Sequence, residues 1–207
     1  MVVAAELGTK YLEVPKIDDE GLESLKAASR DNIRSFVYAA SLAGNPEQVV
    51  VDVGCGYRTS EPEATAMWNR EFKPYVAFDH TSEFDHQPQP GSAPNLVADA
   101  EQMPLPTAVA DTVICAEVLE HTPNPEAVIQ EITRILKLKG KLILTLPGKD
   151  VPLHEKLPHQ HDYRRFDPEK MVALLKENGF LVLVAERKYF AEREINLLIS
   201  AIKVRNV

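Results

Sequence analysis

The sequence predicts an α/β domain: a mostly parallel sheet of seven strands that ends in an antiparallel hairpin, with helices on both faces. Strand-like apolar runs alternate with helical stretches from residue 49 onward. The first run, Val49–Val53, is rich in β-branched residues, which is typical of a strand buried on both sides. The last two strands are joined by Glu186–Glu194, a connection too short for a parallel crossover through a helix. We therefore expect these two strands to pair antiparallel.

The individual elements follow from periodicity and from end signals. The N-terminal helix begins at Asp18 or Asp19, and a proline in the first turn opens each of the later ones. The first predicted helix is capped by Asp18 or Asp19 and runs toward Leu42, and the others are Pro62–Phe72, Pro125–Leu138 (ended by Gly140) and Pro168–Asn178. The predicted strands are Val49–Val53, Tyr75–Phe78, Asn95–Ala98, Thr112–Ala116, Lys141–Leu146, Phe180–Ala185 and Ile195–Ile202.

Length and charge restrict the class of protein and its partners. The 207 residues suit a single domain, 1–207, in which 1–44 form an N-terminal helical cap region. The net charge of −8 has the wrong sign for a broad phosphate-binding surface, so nucleic acid is not an expected partner. No apolar run approaches the roughly 20 residues of a membrane span, and no secretory leader is evident. We expect a cytoplasmic monomer or homodimer without a membrane anchor.

A glycine turn follows the first strand, in Asp52-Val53-Gly54-Cys55-Gly56. Ligands of open α/β sheets bind at the carboxyl ends of the strands, and glycine lets the backbone approach them closely. Asp52 places a carboxylate beside this turn. A dinucleotide fingerprint would need a third glycine at position 59, where this chain has Thr59, so a nucleoside-like ligand is favoured over a dinucleotide.

Two more acids occupy equivalent places. Asp79, followed by His80, ends the second strand, and Asp99, followed by Ala100, ends the third. An acid at the end of the second strand is placed to accept hydrogen bonds from ribose hydroxyls. Three acids at the ends of consecutive strands, with the glycine turn on the first, are far more specific than any one of them.

These segments together resemble the class I S-adenosylmethionine-dependent methyltransferases of the type 11 group, whose fold is Rossmann-like. The resemblance spans about residues 32–203 and includes Val49–Gly56, Phe78–His80, Ala98–Pro106 and Asp111–Pro125. It implies S-adenosylmethionine as cofactor, with Gly54, Cys55 and Gly56 near its methionine part. It also implies that Asp79 holds the ribose and that Asp99 with Ala100 holds the adenine. Glu117 would border the cofactor through its backbone. The family turn usually has glycine where this chain has Arg58.

The segment after the fourth strand contains Glu117, Glu120 and His121, spaced to face one way on a helical turn. Two carboxylates and an imidazole suit a divalent cation. This Glu-x-x-Glu-His pattern resembles that of ubiquinone-pathway O-methyltransferases and small-RNA 2′-O-methyltransferases, in which the corresponding three residues hold a metal. The pattern also occurs in type 11 members without a metal, and we expect no metal here.

The connection 148–167 is long and rich in histidine, so we expect it to act as a loop over the substrate side. Methylation of a hydroxyl or amine needs a base, and His121, His159 and His161 are the candidates, since imidazoles exchange protons near neutral pH. The resemblance implies an enzyme acting on a small-molecule acceptor. The alternatives are a metal-dependent O-methyltransferase on RNA ends or catechol-like hydroxyls, and a non-catalytic binder of the cofactor.

Overall fold

The computed structural model describes residues 18–42, 48–55, 75–80, 96–153 and 161–206. The predicted helix 62–72 and residues 1–17 lie outside these ranges. The described helices are α1 (Asp19–Leu42), a 3-10 turn (Leu119–His121), α2 (Pro125–Ile135) and α3 (Pro168–Glu177). The strands are β1 (Val50–Val53), β2 (Tyr75–Asp79), β3 (Leu96–Val97), β4 (Ala110–Ala116), β5 (Leu136–Pro147), β6 (Phe180–Phe190) and β7 (Arg193–Lys203).

The strands form one sheet in the order β3-β2-β1-β4-β5-β7-β6. Strands β1 to β5 pair in parallel, whereas β7 pairs antiparallel with both β5 and β6. The predicted seven-stranded sheet with its C-terminal antiparallel hairpin is thus confirmed. The chain order reverses between β1 and β4, and this reversal is where ligands bind in open α/β sheets.

Helices cover both faces of the sheet, as predicted. On one face, Val37 of α1 packs with Val50, Ile114 and Ile143 of the central strands. On the other face, the stripe Val128, Ile129 and Ile132 of α2 joins the larger core cluster, together with Met171 and Leu175 of α3. None of the described helices has the length and hydropathy required to span a bilayer.

The predicted helix Pro125–Leu138 was too long, because it ends at Ile135. Leu136 adopts the extended conformation with ψ 136° and pairs with Ala110 of β4, so β5 starts two residues before the predicted helix end. Lys139 then takes a φ of 67°. The apolar stripe continues through Leu136, so periodicity alone could not mark the change from helix to strand.

The C-terminal hairpin is longer than predicted. Most of the predicted connection, Glu186–Glu194, is strand, and only Ala191 and Glu192 form the turn, with φ values of 47° and 66°. Two consecutive positive φ values are typical of tight hairpin turns, which usually carry glycine or asparagine. Because neither residue is present here, the sequence did not indicate the turn.

Lys203, at the end of β7, connects the hairpin to the end of α2. Its ammonium group is buried and donates to the carbonyl oxygens of Thr133, at 2.7 Å, and Leu136, at 2.9 Å. A cation at a helix C-terminus stabilises the last carbonyl groups and the helix dipole. Burial lowers the pKa of the Lys203 ammonium.

Candidate functional site

The glycine turn lies where strand β1 meets the sheet reversal. Gly54 has a φ of 62°, a left-handed conformation that glycine adopts without strain. A Cβ on Gly54 would lie only 2.5 Å from Cγ2 of Val118, in the segment that follows β4. The backbone N–H of Cys55 donates to the carbonyl of Phe78 in β2 at 3.0 Å. Gly56, Tyr57 and Arg58 lie outside the described residues.

Asp52, in contrast, belongs to the interior of the sheet. Its side chain is buried, and its Oδ2 atom accepts a hydrogen bond of 2.6 Å from the hydroxyl of Tyr75, at the start of β2. The carboxylate therefore fixes β2 against β1 beneath the turn. Any contact of Asp52 with the cofactor remains a prediction.

Asp79 and Asp99 come together at the same edge of the sheet. The N–H of Ala98 donates to the carbonyl of Asp79 at 2.9 Å, which places the ends of β2 and β3 side by side. Oδ1 of Asp79 accepts from the backbone N–H of His80 and lies 2.8 Å from its Nδ1. Asp79 is buried, whereas the His80 side chain is largely exposed.

Asp99 is exposed and stabilises its own turn. Its Oδ1 accepts a hydrogen bond from the backbone N–H of Glu101 at 2.8 Å. Its carbonyl oxygen accepts another from the backbone N–H of Gln102 at 3.1 Å. Ala100 is half-buried and packs against the main core cluster. The turn therefore presents a small apolar residue beside a carboxylate, which suits the edge and face of a planar base.

Glu117 occupies the opposite side of the sheet reversal, directly after β4. It has a φ of 55°, which is uncommon for a residue with a side chain and marks a constrained backbone. Its N–H donates to the carbonyl of Thr145, and its Oε1 accepts from the Thr145 hydroxyl at 2.9 Å. Two bonds to one residue of β5 thus hold the backbone of Glu117 in this unusual conformation.

Glu120 is buried beneath the segment after β4. Burial raises the pKa of its carboxyl well above the usual range, and the nearby Glu117 carboxylate raises it further. Within the described part of the chain, its Oε2 has no hydrogen-bond partner. These surroundings therefore favour the neutral form of the Glu120 carboxyl group.

The imidazole of His121 links the segment after β4 to the loop 161–167. Its Nδ1 lies 2.9 Å from Oδ1 of Asp162 and 3.2 Å from the carbonyl oxygen of His161. Its Nε2 is 3.7 Å from Oε1 of Glu120. The imidazole is 21% exposed, whereas the Asp162 side chain is completely buried.

The other two candidate bases are placed differently. The ring of His161 packs edge-on against Tyr163, with 4.4 Å between ring centroids, and its carbonyl, not its ring, faces His121. His159 lies outside the described residues. Among the described candidates, only the imidazole of His121 is paired with a buried carboxylate.

Asp162 is the residue that sequence reasoning missed as a member of the site. The only signal was its position between His161 and Tyr163 in the predicted loop. Its pairing with a residue 41 positions earlier in the chain is a tertiary contact that spacing does not encode.

The three residues Glu117, Glu120 and His121 do not converge as metal ligands. Glu117 is bonded to Thr145, Glu120 is buried, and Nδ1 of His121 faces Asp162. Over the described ranges, no group of three or more His, Cys, Asp or Glu side chains is arranged to hold a metal ion.

The donor set does fit a nucleoside cofactor of the S-adenosylmethionine type. Asp79 supplies a carboxylate for ribose hydroxyls at the end of β2, and the Asp99–Ala100 turn beside it suits a base. Gly54 and the constrained backbone of Glu117 flank the sheet reversal from β1 and β4. These are the places that open α/β sheets use for nucleotide ligands.

Comparison with known proteins agrees with this geometry. Residues 51–144 match the family model described as "Methyltransferase domain" (Methyltransf_11). An uncharacterised protein of Methanocaldococcus jannaschii is 32% identical over 95 residues, which are 46% of this chain and 41% of that protein. A ubiquinone biosynthesis O-methyltransferase of Dechloromonas aromatica is 35% identical over 79 residues, 32% of this chain and 33% of that enzyme. The chain spans about half or less of the length of the curated relatives it matches.

A solved structure has the same fold over nearly the whole chain. The Burkholderia thailandensis 1,6-didemethyltoxoflavin-N1-methyltransferase superposes with a TM-score of 0.57 at 15% identity and covers 94% of both chains. That structure contains bound 1,6-didemethyltoxoflavin and S-adenosylhomocysteine. The sheet order and the family match over residues 51–144 together support a class I S-adenosylmethionine-dependent methyltransferase of the type 11 group.

Proposed function

We propose that the protein transfers the methyl group of S-adenosylmethionine to a hydroxyl or amine of a small-molecule acceptor. The observation that carries the proposal is the placement of Asp79 and Asp99 at the adjacent ends of β2 and β3, on the same edge of the sheet as the Gly54 turn at the sheet reversal. This constellation has the polar groups that a ribose and a base require, at the edge where such ligands bind.

The roles of the residues follow from their positions. Asp79 accepts hydrogen bonds from the ribose, and Asp99 with Ala100 holds the adenine. Gly54, Cys55 and Gly56 approach the methionine part, Glu117 borders the cofactor through its backbone, and Asp52 supports the turn from beneath. His80, exposed after β2, lies next to the ribose side. The cofactor supplies an activated methyl group on a sulfonium that leaves as a neutral thioether.

The protein's remaining task is to position the acceptor in line with that methyl group and to accept its proton. The described stretches 148–153 and 161–167 of the predicted loop are fastened together by Arg165, beside the end of β5. The guanidinium donates to the carbonyls of Val151 and Pro152 and to the carboxylate of Asp162. This anchoring favours a small acceptor over a macromolecule.

Two comparisons support the acceptor class. The Dechloromonas relative is an O-methyltransferase of ubiquinone biosynthesis, and the Burkholderia neighbour has 1,6-didemethyltoxoflavin bound. A hydroxylated aromatic metabolite is accordingly the first acceptor class to test. No described metal constellation or basic surface favours a metal-dependent reaction on RNA ends.

The experiment is a transfer assay with S-adenosylmethionine labelled in its methyl group and a panel of phenols, catechols, hydroquinones and amines. The proposal predicts labelled product together with S-adenosylhomocysteine in equal amounts. Binding of the cofactor without transfer to any member of the panel would favour the non-catalytic binder. A chain that binds neither S-adenosylmethionine nor S-adenosylhomocysteine would overturn the proposal.

A further inference from the structure

We propose that Asp162 and His121 form a catalytic dyad, in which Asp162 positions the imidazole and His121 removes the proton from the acceptor's hydroxyl group. The inference rests on the proposed methyl transfer and narrows it to acceptors whose nucleophile loses a proton. It assigns a positioning role to Asp162 and selects His121 from the three candidate bases.

The first support is that two hydrogen-bond acceptors face the same ring nitrogen of His121. Nδ1 of His121 lies 2.9 Å from the Asp162 carboxylate and 3.2 Å from the carbonyl oxygen of His161. The carbonyl oxygen can only accept, and the Asp162 carboxyl group is paired with the Arg165 guanidinium, which favours its ionised form, so we infer that Nδ1 carries the hydrogen. In the neutral imidazole the lone pair is consequently on Nε2, the nitrogen that acts as the base.

The second support is the anchoring of Asp162. Its Oδ2 accepts from NH2 of Arg165 at 2.8 Å, and the guanidinium is fixed in turn by the carbonyls of Val151 and Pro152. The N–H of Tyr163 donates to the carbonyl of Glu120, which ties the same loop to the segment carrying His121. The two members of the dyad therefore belong to one hydrogen-bonded unit, although they come from distant parts of the sequence.

The other charged groups around the imidazole are compatible with this tautomer. Oε1 of Glu120 lies 3.7 Å from Nε2, and burial beside Glu117 raises the pKa of this carboxyl group. An ionised Glu120 would attract a proton to Nε2 and favour the opposite tautomer, whereas a neutral acid does not. Arg165 contacts Oδ2 of Asp162, not the imidazole, and balances the charge of the buried carboxylate.

The proton and the electron pairs balance in the proposed step. The acceptor's O–H bond breaks as Nε2 takes the proton, and the oxygen lone pair forms the new O–CH3 bond. The S–CH3 bond breaks with its electron pair left on sulfur. The buried Asp162 carboxylate stabilises the resulting imidazolium, which returns its proton to water.

The replacement Asp162→Asn gives a directional test because Arg165 fixes the orientation of the new amide. Arg165 can only donate, so the amide oxygen is retained on its side and the NH2 group faces Nδ1 of His121. A donor at this position forces the hydrogen onto Nε2 and removes the base without changing the size of the side chain. The same logic explains the loss of activity on Asp→Asn replacement in serine-protease triads.

The experiment measures the tautomer directly in the full-length chain labelled with 15N-histidine, in the presence of S-adenosylhomocysteine. Spectra at about pH 8.5 report neutral imidazoles, and His121→Gln assigns the resonance. The wild type is expected to show the hydrogen on Nδ1, and Asp162→Asn to show it on Nε2. Asp111→Asn is the matched control, because Asp111 pairs with Lys137 at the opposite edge of the sheet. It is expected to keep the wild-type tautomer.

Kinetics with catechol and hydroquinone as acceptors supply the second readout. Asp162→Asn is expected to lower kcat by about 100-fold to 10,000-fold, with KM for S-adenosylmethionine changed by less than about threefold. A wild-type hydrogen on Nε2 would overturn the dyad whether or not any variant folds. An unchanged kcat in Asp162→Asn would also overturn it. Failure of the wild type to bind S-adenosylhomocysteine would instead refute the proposed function. The tautomer measurement tests the dyad independently of that result.

Discussion

The backbone of Gly54 and the side chain of Val118 meet across the reversal of the sheet, where a Cβ on Gly54 would lie 2.5 Å from Cγ2 of Val118. The turn after β1 and the segment after β4 are thereby packed against each other at the point where the cofactor is expected. Glycine is required at position 54 for two separate reasons, its φ of 62° and this close approach.

The replacement Gly54→Ala separates these two reasons when it is combined with Val118→Ala. We expect Gly54→Ala to lower the free energy of unfolding by about 2–4 kcal/mol, from backbone strain and from the clash. In the double variant the clash is gone but the strain remains. Urea unfolding should therefore show a favourable coupling of about 1 kcal/mol or more. Additive effects of the two replacements would contradict the close approach.

Asp79→Asn tests the ribose contact. The carboxylate accepts charge-assisted hydrogen bonds, each worth about 1.5–3 kcal/mol, so the Kd for S-adenosylhomocysteine should rise by about 10-fold to 100-fold. Isothermal titration calorimetry measures this change. Asp111→Asn, the same replacement at the far edge of the sheet, should leave the Kd unaltered. Equal affinity in the Asp79 variant and the wild type would remove Asp79 from the cofactor site.

Glu120→Gln tests the protonation of the buried acid through the pH dependence of stability. Because burial raises the folded-state pKa of Glu120, its contribution to stability is complete below the unfolded value, near 4.5, and is lost as pH rises toward the folded one. Glutamine mimics the neutral acid and does not titrate. The stability of the variant should therefore gain on the wild type with rising pH, by up to about 1.4 kcal/mol per pH unit. A difference that does not change between pH 5 and about pH 8 would show that Glu120 is ionised in the folded protein.

Lys203→Met tests the cap at the end of α2. The variant leaves the carbonyls of Thr133 and Leu136 without their buried donor, and we expect a loss of about 1–3 kcal/mol. Lys188→Met, at an exposed ion pair with Glu186, should change stability by less than about 0.5 kcal/mol. Because Lys203 lies at the edge of the sheet opposite the site, the affinity for S-adenosylhomocysteine should stay the same. Thermal and chemical unfolding that did not distinguish the two lysine variants would argue against the cap.

Chelation tests whether a cation takes part. With Glu117 bonded to Thr145 and Nδ1 of His121 directed at Asp162, we expect transfer rates to be unchanged after exhaustive treatment with EDTA. Loss of activity on chelation, with recovery on addition of Mg²⁺ or Zn²⁺ alone, would restore the metal-dependent alternative.

The sequence was most informative where local chemistry decides the structure. Asp18 and Asp167 accept hydrogen bonds from the backbone N–H groups of Gly21 and Lys170, as expected at helix N-termini. The acids at positions 79 and 99 could be placed at strand ends because parallel strands share one carboxyl edge.

The sequence was less informative where contacts between residues distant in the chain determine the structure. The predicted helix ran past its observed end at Ile135 because the chain becomes a strand at Leu136 through pairing with Ala110, which periodicity does not reveal. The partnership of Asp162 with His121 depends on how the loop 161–167 folds back onto the segment after β4, and no local pattern carries that information.

The most direct test of the central claim is to measure the binding of S-adenosylhomocysteine to the chain. Thermal unfolding and calorimetry both report this binding. The account predicts one site per chain, a transition temperature that rises with ligand concentration as linkage requires, and weaker binding in Asp79→Asn. NAD at the same concentrations should give no shift. Absence of any shift with millimolar S-adenosylhomocysteine, or an equal shift with NAD, would contradict the assignment of this site.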